Sequence, residues 1–250
     1  MSRPKIELSN HSEIYDYYRK HQQGPHVARF LHGTLGLVFR PKVGFDPNAE
    51  DKLSQVFAKG RTVVLASNHI KAVDPCVIAA LPAREPALEP VAGTTFIPSK
   101  RSIFKNTVVR HLVDGLGAVP VFREKDVAET DDPRHLRAAT RALLETCIAK
   151  MNAGEHMAIF PEGTRNTVDS RRVQQLQGGL GLMLCRVTKV EQPAIVPIGI
   201  QYSESGVQRT FTPNVWVGQP SEEPFAKPRD LMDWLPDQLQ SCVDNAAELG

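Results

Sequence analysis

An imidazole and a carboxylate stand five positions apart in Asn68-His69-Ile70-Lys71-Ala72-Val73-Asp74, just after the apolar run 62–66. His69 can take a proton near neutral pH without a large pKa shift. A general base works best when a second group fixes its tautomer and orientation. Asp74 can do that if the chain turns into a helix after His69. Pro75 suits an early position of that helix, with Asp74 near its cap. Without a Ser or Cys nucleophile beside the base, the nucleophile implied is the substrate's own hydroxyl. Such a base contributes about 10²–10⁴-fold in rate. The alternative is that His69 and Asp74 hydrogen-bond only to cap a helix.

A second block, Phe160-Pro161-Glu162-Gly163-Thr164-Arg165, follows the apolar run 157–160. Gly163 lets the backbone approach a ligand or take a positive φ. Arg165 offers a planar fork of donors suited to phosphate, and Thr164 adds a hydroxyl. Alone, this block reads equally as a solvated turn. Groups of this kind act from loops held by a rigid scaffold.

The scaffold is legible from residue 60 onward. Apolar runs at 62–66, 118–122, 157–160 and 195–200 read as strands. Helical stretches lie between them, near 75–81, 102–113, 133–152 and 174–189. Asp132 and Pro133 mark the start of the third helix, and Gly154 follows its end. A short strand at 214–218, a Pro-rich link at 220–228 and a helix over 229–247 complete the chain. This alternation predicts an α/β fold with a mixed, largely parallel sheet flanked by helices.

Before it, residues 10–22 read as a polar helix stopped by Gly24-Pro25. Residues 26–40 set Val27, Phe30, Leu31, Thr34, Leu35 and Val38 on one helical stripe, widened by Leu37 and Phe39. That stripe is either packed on the core or an interfacial anchor. The division expected is an N-terminal helical segment, 1–45, and an α/β domain, 46–250.

The two blocks, with two others, resemble the glycerolipid acyltransferase family, typified by 1-acylglycerol-3-phosphate acyltransferases. That family carries an NHxxxxD block, an Arg-bearing block, FPEGTR and a Val/Ile-Pro block. Here they are Asn68-His69 to Asp74, Gly117-Ala118-Val119-Pro120-Val121-Phe122-Arg123, Phe160–Arg165 and Ile195-Val196-Pro197-Ile198, in the same order. The likeness covers about residues 60–200. It implies that His69 deprotonates an acceptor hydroxyl, oriented by Asp74, for attack on an acyl thioester. It places Arg123, Glu162, Gly163, Thr164 and Arg165 in the acceptor site, the arginines on phosphate. It implies no bound cofactor or metal, with acyl-coenzyme A or acyl carrier protein as donor substrate. Two positions depart from the family pattern. Lys71 stands where many members have Ser, and a second cation there would favour an anionic acceptor or point to solvent. Gln177 stands before Gly178 where many carry Lys or Arg, which weakens the case for a simple phosphate monoester.

The 250 residues are 41% hydrophobic, which suits one large domain with a sizeable core. A net charge of +2 gives no ground for nucleic acid. The cationic residues are locally dense at Lys100, Arg101, Lys105 and Arg110, then Arg123 and Lys125. Such a run is a solvated face, or one that meets acidic lipid headgroups or coenzyme A phosphates. The four cysteines, 76, 147, 185 and 242, have neither metal nor disulfide spacing, so a reducing cytoplasm is expected. The first residues lack the apolar core of a signal peptide, and no run approaches the ~20 apolar residues of a span. The expectation is a cytoplasmic protein, peripheral on the membrane surface. Transfer to a lysophospholipid or glycerol-phosphate-like hydroxyl, most of all 1-acylglycerol-3-phosphate, leads. A non-catalytic lipid or phosphate binding module and an acyl thioester hydrolase are the other readings.

Overall fold

The computed structural model describes residues 3–124, 132–188, 192–204, 211–221 and 223–250. Lys125 and position 189 of the last expected inter-strand helix lie outside them. Seven strands form one sheet: β1 (Lys42–Phe45), β2 (Val63–Ser67), β3 (Thr95–Lys100), β4 (Ala118–Val121), β5 (His156–Ile159), β6 (Ala194–Glu204) and β7 (Phe211–Val217). Their order is β1-β7-β6-β2-β5-β3-β4. Among the described residues only the β6/β7 pair is antiparallel. The helices are α1 (His11–Lys20), α2 (Pro25–Phe39), α3 (Ala49–Ala58), α4 (Asp74–Ala80), α5 (Thr107–Gly115), α6 (Pro133–Asn152), α7 (Gly179–Leu184) and α8 (Pro228–Glu248). The mixed, largely parallel α/β sheet with helices around it is therefore the fold.

β2 is central and buried along its whole length, as expected of an apolar run in a covered parallel sheet. Val64 pairs with Met157 of β5 on one side and Ile195 of β6 on the other. Its side chains alternate between two cores. Val64 and Ala66 join a core with Tyr15, Phe96, Met157 and Leu235. Val63 and Leu65 join another with Leu53, Val77, Val196 and Val217. Because β2, β5, β3 and β4 run parallel, the segments that follow them leave the sheet at one end.

α1 adds Ile14, Tyr15 and Tyr18 to the first core, and the Tyr15 hydroxyl donates to the Pro120 carbonyl at 3.0 Å. α6 begins where the Asp132-Pro133 signal puts it. Asp132 caps it by accepting from the Arg134 N–H at 2.8 Å, and hydrogen bonds from Arg134 draw its carboxyl down to about 2. α5 starts later than expected, because Arg101–Phe104 forms a separate 3-10 turn and Asn106 caps the helix proper. α7 occupies only part of 174–189. Gly181 there lets it approach α8, since a Cβ would lie 2.8 Å from the Pro228 carbonyl oxygen. All four cysteines are free thiols.

The stripe on α2 divides. Ala28, His32 and Gly36 form the buried face, not the larger apolar residues. His32 donates through Nδ1 to the Ala79 carbonyl of α4 at 2.6 Å, and Gly36 sits against Ala83. Phe30, Leu37 and Val38 point outward, 67–72% exposed. Neighbouring α5 extends this surface with Val108 and Leu112; Gly115 of α5 lies against Leu31 and Val27 of α2. Among the described residues no helix is long and apolar enough to cross a membrane.

Candidate active site

β2 ends at Ser67, and Asn68 secures that end. Its buried amide accepts from the Ile200 N–H at 2.7 Å and donates to the Ile200 carbonyl at 3.0 Å. The side chain thus extends the β2/β6 ladder while the backbone departs. His69 and Asp74 then meet across one turn of loop. Nδ1 of His69 donates to Oδ2 of Asp74 at 2.8 Å. The same oxygen accepts from the backbone N–H groups of Ile70 (2.6 Å) and Lys71 (2.8 Å). Oδ1 accepts from the Tyr202 hydroxyl at 2.6 Å. Asp74 is fully buried, and four donors on two oxygens are what an acceptor-only carboxylate satisfies. It therefore organises the loop before α4 and does not simply cap the helix.

The His69 ring stacks on Phe160 with centroids 4.4 Å apart and planes 25° apart. Nδ1 faces Asp74, so Nε2 is the nitrogen left to accept a proton. Among the described residues nothing hydrogen-bonds to it. The His69 side chain is 18% exposed, so solvent reaches its edge.

The second block arrives from β5, the strand beside β2. The chain after it crosses the end of β2 and is tied down twice. The Asn166 N–H donates to the His69 carbonyl at 2.6 Å, and Gln201 of β6 donates to the Ser170 carbonyl at 2.6 Å. The Asn166 side chain braces the crossing: its amide donates to the carbonyls of Asp169 and Arg172 and accepts from the N–H groups of Val168 and Asp169.

Within the block, Glu162 is buried. Oε2 accepts from Gln174 at 2.9 Å, and among the described residues Oε1 has no hydrogen-bond partner. Burial pushes its carboxyl above the ordinary range, while the Gln174 hydrogen bonds and nearby His69 pull it partly back. Gly163 takes φ +69°, in the left-handed region that favours glycine. A Cβ there would lie 3.1 Å from Cγ of Gln177, so position 177 borders this turn. Thr164 and Arg165 are exposed.

A family model described as Acyltransferase matches residues 48–201, well over half of the chain. The chain belongs to this acyltransferase family. The comparison with curated proteins gives no match. The matched span runs from just before α3 into β6, and so contains both the His69–Asp74 and the Phe160–Arg165 blocks; Tyr202 follows its last residue.

The acyltransferase scaffold gathers some of the expected residues and separates others. His69, Asp74, Phe160 and Glu162 cluster at the end of β2. Arg123 follows edge strand β4, three strand spacings from β2, or about 14 Å at the backbone. It lines a cleft of ≈ 380 Å³ with Phe122, Glu124, Leu136, Arg137 and Thr140. Lys71 turns toward β6, its Nζ 4.1 Å from the centroid of the Tyr202 ring. Tyr202 and Asn166 escaped the sequence reading. Tyr202 lies 128 positions from its partner, and no local pattern links them. Asn166, directly after Arg165, could have been suspected as a turn-forming Asn.

Proposed function

We propose that this acyltransferase moves a fatty acyl group from a thioester, acyl-coenzyme A or acyl carrier protein, to a hydroxyl of a lysophospholipid or glycerol-phosphate-like acceptor. Conversion of 1-acylglycerol-3-phosphate to phosphatidic acid leads. The observation that carries the reading is the oriented His69 with an open Nε2 and no protein nucleophile bonded to it. The acceptor hydroxyl gives its proton to Nε2 as its oxygen attacks the thioester carbonyl. The tetrahedral intermediate collapses with loss of the thiol, which takes the proton from His69. Asp74 stabilises the imidazolium in between. Donor and acceptor together account for every atom, so no cofactor or metal is invoked.

Arg165 is the cation best placed for the acceptor's phosphate, beside Glu162, Gly163 and Thr164. Lys71, turned onto the Tyr202 ring, and Arg123, beyond edge strand β4, carry less of the assignment. The test is a panel of lysophospholipids and glycerol phosphates with both donor types, read by mass spectrometry. Acylated acceptor supports the reading; free fatty acid alone would make the protein a hydrolase. Charge-assisted hydrogen bonds contribute about 1.5–3 kcal/mol, so Arg165→Ala should raise the acceptor KM about 10-fold or more and leave the donor KM alone. Equal changes in both constants would remove Arg165 from the acceptor site.

The same proposal places the protein on the cytoplasmic membrane surface as a peripheral enzyme. Its support is the apolar ridge of α2 and α5, edged by the exposed cations Arg29, Arg40 and Lys105. An apolar face with basic flanks suits an anionic bilayer interface. Phe30→Asp with Leu37→Asp should release the protein from anionic vesicles. Both side chains are exposed, so the melting temperature should hardly move. Co-sedimentation that survives the double substitution would acquit this ridge.

A further inference from the structure

Asp74 is held from two sides by different strands. Its Oδ2 serves His69 and the loop that β2 releases. Its Oδ1 serves one side chain, Tyr202 of β6. We propose that Tyr202 is a positioning residue for the His69–Asp74 pair, fixing the carboxylate and moderating how strongly it draws a proton onto His69. The inference rests on the reading of His69 as the base.

The argument begins with competition for one negative charge. A carboxylate that donates electron density to two donors is a weaker partner for each. Tyr202 withdraws part of the Asp74 charge that would otherwise stabilise the imidazolium. Burial and the neighbouring Asp74 push the phenol above its ordinary range, so it remains a donor across the working pH range. The bond also has a geometric effect. With Oδ1 anchored at 2.6 Å, the carboxyl plane cannot swing, and Oδ2 stays aimed at Nδ1.

Other charged or titratable groups face this pair. Lys71 lies over the Tyr202 ring, and a cation on the π face of a phenol makes its O–H a stronger donor. Glu162 faces His69 from the β5 side. Cys76, two residues into α4, feels Asp74, and burial keeps its thiol above the ordinary range and hence neutral. Among these groups, only Tyr202 hydrogen-bonds to Oδ1.

The test reads the imidazole directly. The His69 Cε1–H resonance, assigned by its loss in His69→Gln, is titrated by NMR in the wild type and in Tyr202→Phe. Removing the phenol leaves more charge for the imidazolium, so the His69 midpoint should rise by about half a pH unit or more. The acid limb of kcat/KM should rise with it. In addition, kcat should fall about 3- to 30-fold with both KM values little changed, as expected for one hydrogen bond to a charged group. Replacing Tyr202 with 3-fluorotyrosine, a more acidic phenol and stronger donor, should move the midpoint downward. That arm also serves if Tyr202→Phe does not fold. A midpoint unmoved by either change would overturn the proposal and leave Tyr202 as packing. The titration needs no turnover, so it can succeed or fail separately from the acyl-transfer panel.

Discussion

His69→Ala is expected to reduce acyl transfer by about 10²–10⁴-fold, the usual contribution of a positioned general base. The fold should survive. The change removes one partner of Phe160 and one of the donors on Asp74, and Tyr202, Ile70 and Lys71 still satisfy the carboxylate. Asp74→Asn is the sharper variant. Its amide oxygen can take the place of Oδ2, facing His69, Ile70 and Lys71, while its nitrogen turns to the Tyr202 oxygen. The shape is kept and the charge that stabilises the imidazolium is lost, so the rate should again fall by orders of magnitude. Steady-state rates beside a melting curve check both. A well-folded His69→Ala protein that transfers at the wild-type rate would end the proposed mechanism.

The largest structural effect is expected at Gly199, in the middle of β6. A Cβ there would sit 2.1 Å from the backbone carbon and oxygen of Cys242 and 2.4 Å from the Val243 nitrogen. Those are main-chain atoms of α8 and have no rotamer to escape into. Gly199→Ala must lift α8 from β6, loosening the packing of Leu239, Val243 and Ala246, all essentially buried. Overpacking of this kind costs about 3 kcal/mol or more, which for a chain of this size lowers the melting temperature by on the order of 10 °C. Calorimetry would show it. An unchanged melt would mean that α8 does not bear on β6 as closely as described.

The fold was readable where each element carried its own signal. β2, β4, β5 and β6 are apolar runs bounded by loop residues, and α6 has its Asp-Pro start. Three elements had no such signal. β1 is four residues with Gly44 inside, where a Cβ would strike the Trp216 ring. β3 contains Pro98, which removes a ladder donor; it is tolerated because β5 pairs only with Thr95 and Phe96. α3 buries only Ala49, Leu53 and Val56, too few for a stripe to stand out. On α2 the periodicity was visible, but its meaning was not. Hydrophobic spacing cannot tell which side a neighbour covers, and here the small residues decided.

The site divides in the same way. His69 and Asp74 are five positions apart on one loop, so spacing alone suggested the pair. The Glu162–Arg165 turn was visible through its glycine. Tyr202 and the Arg123–Arg137 cleft depend on which strands lie side by side, and a sheet order of β6-β2-β5-β3-β4 is not written in any local stretch.

The joint between α2 and α4 has a mechanical consequence. It is made of one imidazole, His32, whose Nδ1 grips the Ala79 carbonyl, and of Gly36 against the Ala83 methyl in the short 3-10 turn that continues α4. Methyl groups and glycine hydrogens have no torsions with which to absorb a displacement. The two helices therefore keep one spacing, and α4 starts at Asp74. The height of the His69 imidazole above the outward face of α2 is then a constant of the molecule, like the depth stop on a drill. Whatever that face rests on, the base is held at one set level above it.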